Sequence, residues 1–289
     1  MKIVDSIEEM QTITNTYCNQ TIGFVPTMGF LHEGHLSLAK RARAENDIVV
    51  MSIFVNPLQF GENEDFDDYP RDAEMDMRLA KEVGVDYLFF PTKEEMYPSK
   101  LSMEMKMVEG VNILCGASRP GHFDGVITVV SKLFHIVQPS IAYFGLKDAQ
   151  QAAVIHALVK DLNFPVQIKA LATIREVDGL AKSSRNKYLS QKEREAASSL
   201  VKALTLGQQL LRNKSANFHE IRDKVQVFLQ ETSEGIVDYV ELLEYPTLQA
   251  ASASSEQLII AVAVKYSKAR LIDNYILDNS FNRLDELSF

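Results

Sequence analysis

The run Ile48-Val49-Val50-Met51-Ser52-Ile53-Phe54-Val55 holds a single serine among apolar residues. A strand this apolar, without alternation, has no polar face to give to water, so it must lie in a sheet covered by helices on both sides. The neighbouring sequence supplies them. Strand patterns at residues 21–25, 48–55 and 87–90 alternate with helical periodicity at 33–44 and 72–83, and strand and helix in turn predict βαβ units and a parallel sheet. The alternation continues through a helix at 125–137, a strand at 141–144, a helix at 148–162 and a strand at 166–170.

After Asn186 the pattern changes. Two amphipathic helices, at 191–211 and 218–230, precede strand patterns at 237–243, 258–264 and 269–276, which reads as a smaller α+β unit. The 289 residues exceed what one compact core usually holds, so a domain at 1–180 and a second at 181–289 are expected. The small polar run AASASS at 250–255 predicts a loop.

A formal net charge of −9 excludes the broad basic footprint that duplex binding needs, so the expected partners are small molecules and not nucleic acid. Cys18 and Cys115 form no cluster, which fits a reducing compartment. The opening MKIVDSIEEMQT is too acidic for a signal peptide, and no stretch approaches the ~18 apolar residues of a membrane helix. A cytoplasmic protein without a membrane partner is expected.

The chemistry concentrates where strands give way to helices. Phe24-Val25-Pro26-Thr27-Met28-Gly29-Phe30-Leu31-His32-Glu33-Gly34-His35 follows a predicted strand and opens a predicted helix, and such a turn aims backbone N–H groups and the positive end of a helix dipole at an anion. His32 and His35 are three apart and share one face of the first turn, while Gly34 removes a Cβ between them. Each imidazole can donate to a phosphate oxygen, and one donor placed against developing charge is worth roughly 3 kcal/mol. Solvated helix-start histidines and a pair of metal ligands remain open alternatives on spacing alone. Asn56 and Gln59 sit at the end of the apolar strand, where neutral amides suit a hydroxy acid. Lys147 and Asp148 follow Gly145 at a second strand-to-helix turn. The acidic run at 62–68 reads as a solvated loop.

The arrangement of strand, turn, His-x-Gly-His and helix resembles the Rossmann-like nucleotidyl-transferring enzymes, which include class I aminoacyl-tRNA synthetases and adenylyl- and cytidylyltransferases. Five more segments narrow it: Phe54-Val55-Asn56-Pro57-Leu58-Gln59-Phe60, Asp68-Tyr69-Pro70-Arg71, Arg119-Pro120-Gly121-His122-Phe123-Asp124-Gly125-Val126, Phe144-Gly145-Leu146-Lys147-Asp148-Ala149-Gln150-Gln151 and Gly179-Leu180-Ala181-Lys182-Ser183-Ser184-Arg185-Asn186. In this order they resemble the pantothenate synthetase family from about residue 21 to about residue 190. Beyond that the likeness rests on length and layout.

The resemblance implies an α/β fold, with a Rossmann-like parallel-sheet N-terminal domain and a smaller α+β C-terminal domain; closure of that domain over the nucleotide is expected because the loop Ser183-Ser184-Arg185 falls at the boundary, where hinges sit. It implies ATP-dependent joining of pantoate to β-alanine through a pantoyl-adenylate, Mg²⁺ carried on the nucleotide with no dedicated protein ligands, and a homodimer. Carried over residue by residue, His32, His35, Lys147, Ser183, Ser184 and Arg185 surround the phosphates as the catalytic set. Pro26, Thr27, Met28, Gly29, Gly34, Gly145, Asp148, Ile174 and Lys182 complete the ATP site; Lys182 departs from the Met or Leu more usual there. Gln59 and Gln151 bind pantoate, with Asn56 at the same strand end and Val129 and Val130 as an apolar wall; Arg119 and His122 fall in a Pro-Gly turn that reads as a loop near the site mouth, where contact with phosphate or pantoate and plain solvation both stay open. The alternative is a nucleotidyltransferase that keeps the adenylyl group on its product, for which the glutamine motifs have no purpose.

Overall fold

The structure, a computed structural model, describes residues 1–61, 66–67, 69–213 and 217–289. Most of the acidic run at 62–68, including Asp68 of the Asp-Tyr-Pro-Arg segment, lies outside the described residues. In chain order the elements are β1 (Lys2–Val4), α1 (Ile7–Asn15), β2 (Ile22–Thr27), α2 (Glu33–Glu45), β3 (Ile48–Ile53), α3 (Ala73–Glu82), β4 (Tyr87–Phe89), α4 (Lys93–Met96), α5 (Leu114–Ser118), α6 (His122–Val137), β5 (Ile141–Gly145), α7 (Ala149–Leu162) and β6 (Gln167–Leu171). There follow α8 (Gln191–Ala196), α9 (Ser199–Arg212), α10 (Phe218–Thr232), β7 (Ile236–Glu244), β8 (Gln257–Lys265), β9 (Arg270–Asp278) and β10 (Glu286–Ser288). The chain forms two compact units: Met1–Gly145 with Val154–Leu171 and Leu287–Phe289, and Leu146–Ala153 with Ala172–Glu286.

In the first unit the strands lie in the order β1-β4-β3-β2-β5-β6-β10, and the pairs from β1 through β6 are all parallel. Ile168 and Phe289 exchange both backbone hydrogen bonds, 3.3 and 2.9 Å, so the last strand closes the sheet antiparallel. The side-chain period of two divides each central strand between two apolar clusters. Phe24 and Val50 join one with α1, α6 and α7, whereas Val25, Val49, Met51 and Ile53 join another with α2 and α3. Both faces of β3 are therefore dry, as its composition predicts.

The sequence reading missed β1, α1 and β10. Each outer strand is three residues long, and each forms on the free edge of the strand beside it, β1 on β4 and β10 on β6. At the start of α6 the backbone comes unusually close to the turn after β3: a Cβ on Gly125 would lie 2.2 Å from the Leu58 carbonyl oxygen and 2.6 Å from the Gln59 nitrogen. Only glycine fits there.

The second unit stacks α9 and α10 on the antiparallel sheet β7-β8-β9. Leu258, Ile260, Val262 and Val264 project from alternate positions of β8 into a core with Leu200, Leu204, Val225 and Leu229. The single helix expected at 191–211 is two helices instead, α8 and α9. The break falls where Leu200 N–H donates to the carbonyl of Ala197 at 3.2 Å, a tighter turn that redirects the second helix. Ser190 caps α8, and Glu193 returns a carboxylate oxygen to Ser190 N–H at 2.8 Å while its other oxygen takes Ser267 N–H at 2.8 Å. Those amides, Ser267 first, hold the Glu193 carboxyl down at about 2, from 4.5.

Two outcomes follow from these contacts. Gly125→Ala meets backbone on its open side, so no side chain can rotate away, and it should cost roughly 1–3 kcal/mol in urea unfolding; an unchanged midpoint would contradict the close approach. Because the Glu193 pKa is depressed on folding, its stabilisation is present above about 4.5 and is lost as pH falls towards about 2. Urea midpoints across that window should decline less steeply for Glu193→Gln than for the parent chain.

Candidate active site

The chain leaves β2 for β3 and β4 on one side of the sheet, then returns to β5 and β6 on the other. Strand order thus reverses between β2 and β5, and in open parallel sheets the ligand crevice lies beyond the carboxyl ends of the strands flanking the reversal. Those ends are Thr27 and Gly145.

Beyond Thr27 the backbone turns through Gly29 (φ +83°) and Phe30 (φ +51°), a left-handed pair that needs fixing from outside. Asp76, in the first turn of α3 and 2% exposed, does so: its two oxygens accept Phe30 N–H at 2.8 Å and Leu31 N–H at 2.7 Å. Thr27 adds a second restraint, donating its hydroxyl to the Ser52 carbonyl at 2.7 Å and accepting Gly29 N–H at 3.2 Å. Burial raises the Asp76 carboxyl above its usual range, against the lowering effect of the two amides.

His32 is the N-cap of α2. Its Nδ1 accepts Gly34 N–H at 3.1 Å, His35 Nδ1 accepts His32 N–H at 3.4 Å, and the rings stack with centroids 4.1 Å apart. A nitrogen that accepts from an amide carries no proton, so each ring proton belongs on Nε2. The motif therefore presents two stacked imidazoles of one tautomer, their planes 29° apart, each with Nε2–H as a donor.

Gln59 lies on a 3-10 turn, Pro57–Gln59, and is 7% exposed. Its amide nitrogen donates to Met28 Sδ at 2.9 Å and its Oε1 accepts from Asn56 Nδ2 at 3.3 Å. Asn56 is committed internally: Nδ2 also donates to the Gly125 carbonyl at 3.0 Å, while Oδ1 takes Tyr97 O–H at 2.9 Å and Leu58 N–H at 3.3 Å. Arg119 and His122 act on the same turn. His122 Nδ1–H donates to the Gln59 carbonyl at 2.8 Å, Arg119 donates to that carbonyl at 3.3 Å, and Arg119 Nη1 donates to His122 Nε2 at 3.1 Å. Val129 and Val130 are buried in α6, 6% and 5% exposed.

In the second unit Lys147 and Asp148 lie on a 3-10 turn, Leu146–Asp148, ahead of α7, with Lys147 Nζ 3.3 Å from the Asp148 carboxylate. Gln151, in the first turn of α7, is half-buried. Residues 174–182 form a hairpin: Lys182 N–H donates to the Ile174 carbonyl at 2.9 Å, Arg175 bridges Ala181, and Gly179 (φ +90°) turns the tip. Ser183 then caps the 3-10 turn Ser184–Tyr188, its hydroxyl accepting Arg185 N–H at 3.3 Å. Arg175 steadies the hairpin by donating to the Gly179 carbonyl at 3.0 Å and pairing bidentately with Asp273 of β9 at 2.6 and 3.0 Å.

The comparisons agree with one another. The family described as pantoate-beta-alanine ligase matches residues 2–276. A pantothenate synthetase of Geobacillus sp. strain WCH70 is 54% identical over 280 residues, covering 96% of this chain and 99% of that protein. The crystal structure of the pantothenate synthetase of Thermus thermophilus superposes with a TM-score of 0.88 at 44% identity, over 95% of this chain and 98% of that one. A Francisella tularensis pantoate-beta-alanine ligase, crystallised with β,γ-ATP and β-alanine, gives 0.79 at 37% identity, over 96% and 97%.

Sequence reasoning singled out the histidines and Gln59 but not Asp76, Tyr97 or Asp273, which hold the turns behind them. The only cue to Asp76 was an acid on the otherwise apolar side of α3. Asp76→Ala leaves the buried Leu31 N–H and its neighbour at Phe30 without the carboxylate; each amide should cost about 1–3 kcal/mol. Urea unfolding should show the loss, and a midpoint within error of the parent would refute it.

Proposed function

The chain belongs to the pantoate–β-alanine ligase family, and from that premise we propose how its residues carry out the reaction. It is a ligase that joins pantoate to β-alanine with ATP as substrate. In our reading a pantoate carboxylate oxygen attacks the α-phosphorus of ATP, the bond to the bridging oxygen breaks and pyrophosphate leaves. The β-alanine amine then attacks the acyl carbon, loses a proton and expels AMP. The protein provides no nucleophile; it orients the reactants and stabilises charge as it moves.

The single observation that carries the residue assignment is the stacked pair His32 and His35, whose amide-bound Nδ1 atoms leave Nε2–H as the donor of each ring. Two aligned neutral donors suit phosphate oxygens on which charge is growing. Pro26, Thr27, Met28, Gly29 and Gly34 shape the same turn. Lys147, Ser183, Ser184 and Arg185 serve the triphosphate as cations and hydroxyl donors, with Gly145, Asp148, Ile174 and Lys182 contacting the rest of the nucleotide. Gln59 and Gln151 hold pantoate, and Val129 and Val130 line its gem-dimethyl group. Asn56, Arg119 and His122 act through Gln59, since their polar atoms already grip its turn.

The groups proposed to face the phosphates are neutral or cationic, and such donors do not suit a hard divalent cation; we therefore place Mg²⁺ on the nucleotide and assign it no protein residue. A homodimer and a cytoplasmic setting rest on the family resemblance; no helix among the described residues is long and apolar enough to cross a membrane.

The test is pyrophosphate release from Mg-ATP. It should require pantoate, AMP and pantothenate should appear only once β-alanine is added, and His35→Ala should lower the first step by about a hundredfold or more. Pyrophosphate release that ignores pantoate, or a fully active variant, would remove this reading.

A further inference from the structure

Asn274 lies on β9, far along the chain from every motif that carries the family resemblance, and is 8% exposed. Its side-chain nitrogen donates to two successive carbonyls, Leu146 O at 2.9 Å and Lys147 O at 3.0 Å. Both partners can only accept, so the orientation of the amide is settled and both its hydrogens are used. The neighbouring Asp273, 2% exposed, is the residue that pairs with Arg175 and so steadies the hairpin ahead of Ser183. Adjacent strand residues point to opposite faces, and β9 packs against both the Leu146–Asp148 turn and the Ser184–Tyr188 turn. One strand thus braces two turns whose side chains this chain devotes to the nucleotide.

We infer that Asn274 is a positioning residue for the adenylation step, acting through Lys147. The 3-10 turn bearing Lys147 has only three residues; two hydrogen bonds from a buried amide fix the plane of its peptides, and hence where the lysine stem starts. A lysine ammonium is a point charge on a flexible stem, so misplacing its root by an ångström is enough to cost about a hundredfold in rate. The effect falls on kcat more than on KM, because the ammonium matters most as charge builds on the leaving pyrophosphate. The inference rests on the phosphate role given to Lys147 above.

The experiment is a double-mutant cycle on pantoate-dependent pyrophosphate release, using Asn274→Ala, Lys147→Ala and the pair. Asn274→Ala should lower kcat about tenfold to a hundredfold with a smaller change in KM for ATP, and in the Lys147→Ala background it should cost about twofold or less. Asn274→Gln, which keeps both donors, should recover part of the rate, and it takes the place of the alanine variant in the cycle if that variant does not fold. A full multiplicative loss on the Lys147→Ala background overturns the inference, with Asn274 then supporting the unit generally. A Lys147→Ala enzyme with undiminished kcat instead removes the role of Lys147, and the inference with it.

Discussion

Phe24 and Val25 are adjacent on β2, and neither has measurable solvent exposure. Adjacent strand residues face opposite ways, so both faces of the strand are closed, one by α6 and its neighbours and the other by α2 and α3. Burial of this kind, at about 25 cal/mol for each Å² of apolar surface, commits the chain to helices on both sides of a parallel sheet. Parallel strands joined by helices all run the same way, and their carboxyl ends share one edge. The reversal of strand order beside β2 then opens a crevice at that edge, and every turn of the first unit given a role here lies beyond it.

What holds the turns of each unit is a set of polar side chains, most of them buried, that bond to backbone. Asp76 takes two amides beyond β2, Asn56 and His122 grip the turn carrying Gln59, and Asn274 takes two carbonyls around Lys147. A buried donor or acceptor left alone costs about 1–3 kcal/mol, so each turn has one favourable arrangement and many unfavourable ones. The side chains proposed to meet substrate inherit that rigidity. The division of labour is also one of charge: the groups assigned to phosphate are neutral or cationic, whereas Asp76 and Asp273 direct their charge at protein partners.

His32 and His35 show how local chemistry modifies a general rule. A helix N-terminus offers bare amides to an anion, yet here His32 Nδ1 takes the Gly34 amide. In the proposed site the helix end meets an anion through imidazole Nε2–H, a donor that reaches further than a backbone amide and has its tautomer set by the cap itself.

Strand periodicity and the motif order were enough to establish the α/β class, the parallel sheet, the α+β second part and the family, because those follow from which residues are apolar and at what spacing. His32, His35 and Gln59 stood out as candidates for the same reason: they sit at fixed offsets from strand ends. The three-residue strands β1 and β10, the break between α8 and α9, and the partners Asp76, Tyr97 and Asn274 were not. A short edge strand forms only because another strand offers it a ladder, and a buried acid or amide on a helix or strand looks like a surface residue until the backbone it bonds to arrives beside it. The sequence by itself determined which groups are proposed for the chemistry. The tertiary structure decided which backbone atoms, 46 residues away for Asp76 and 127 for Asn274, hold them still, because hydrogen bonds across such separations leave no periodic trace in the chain.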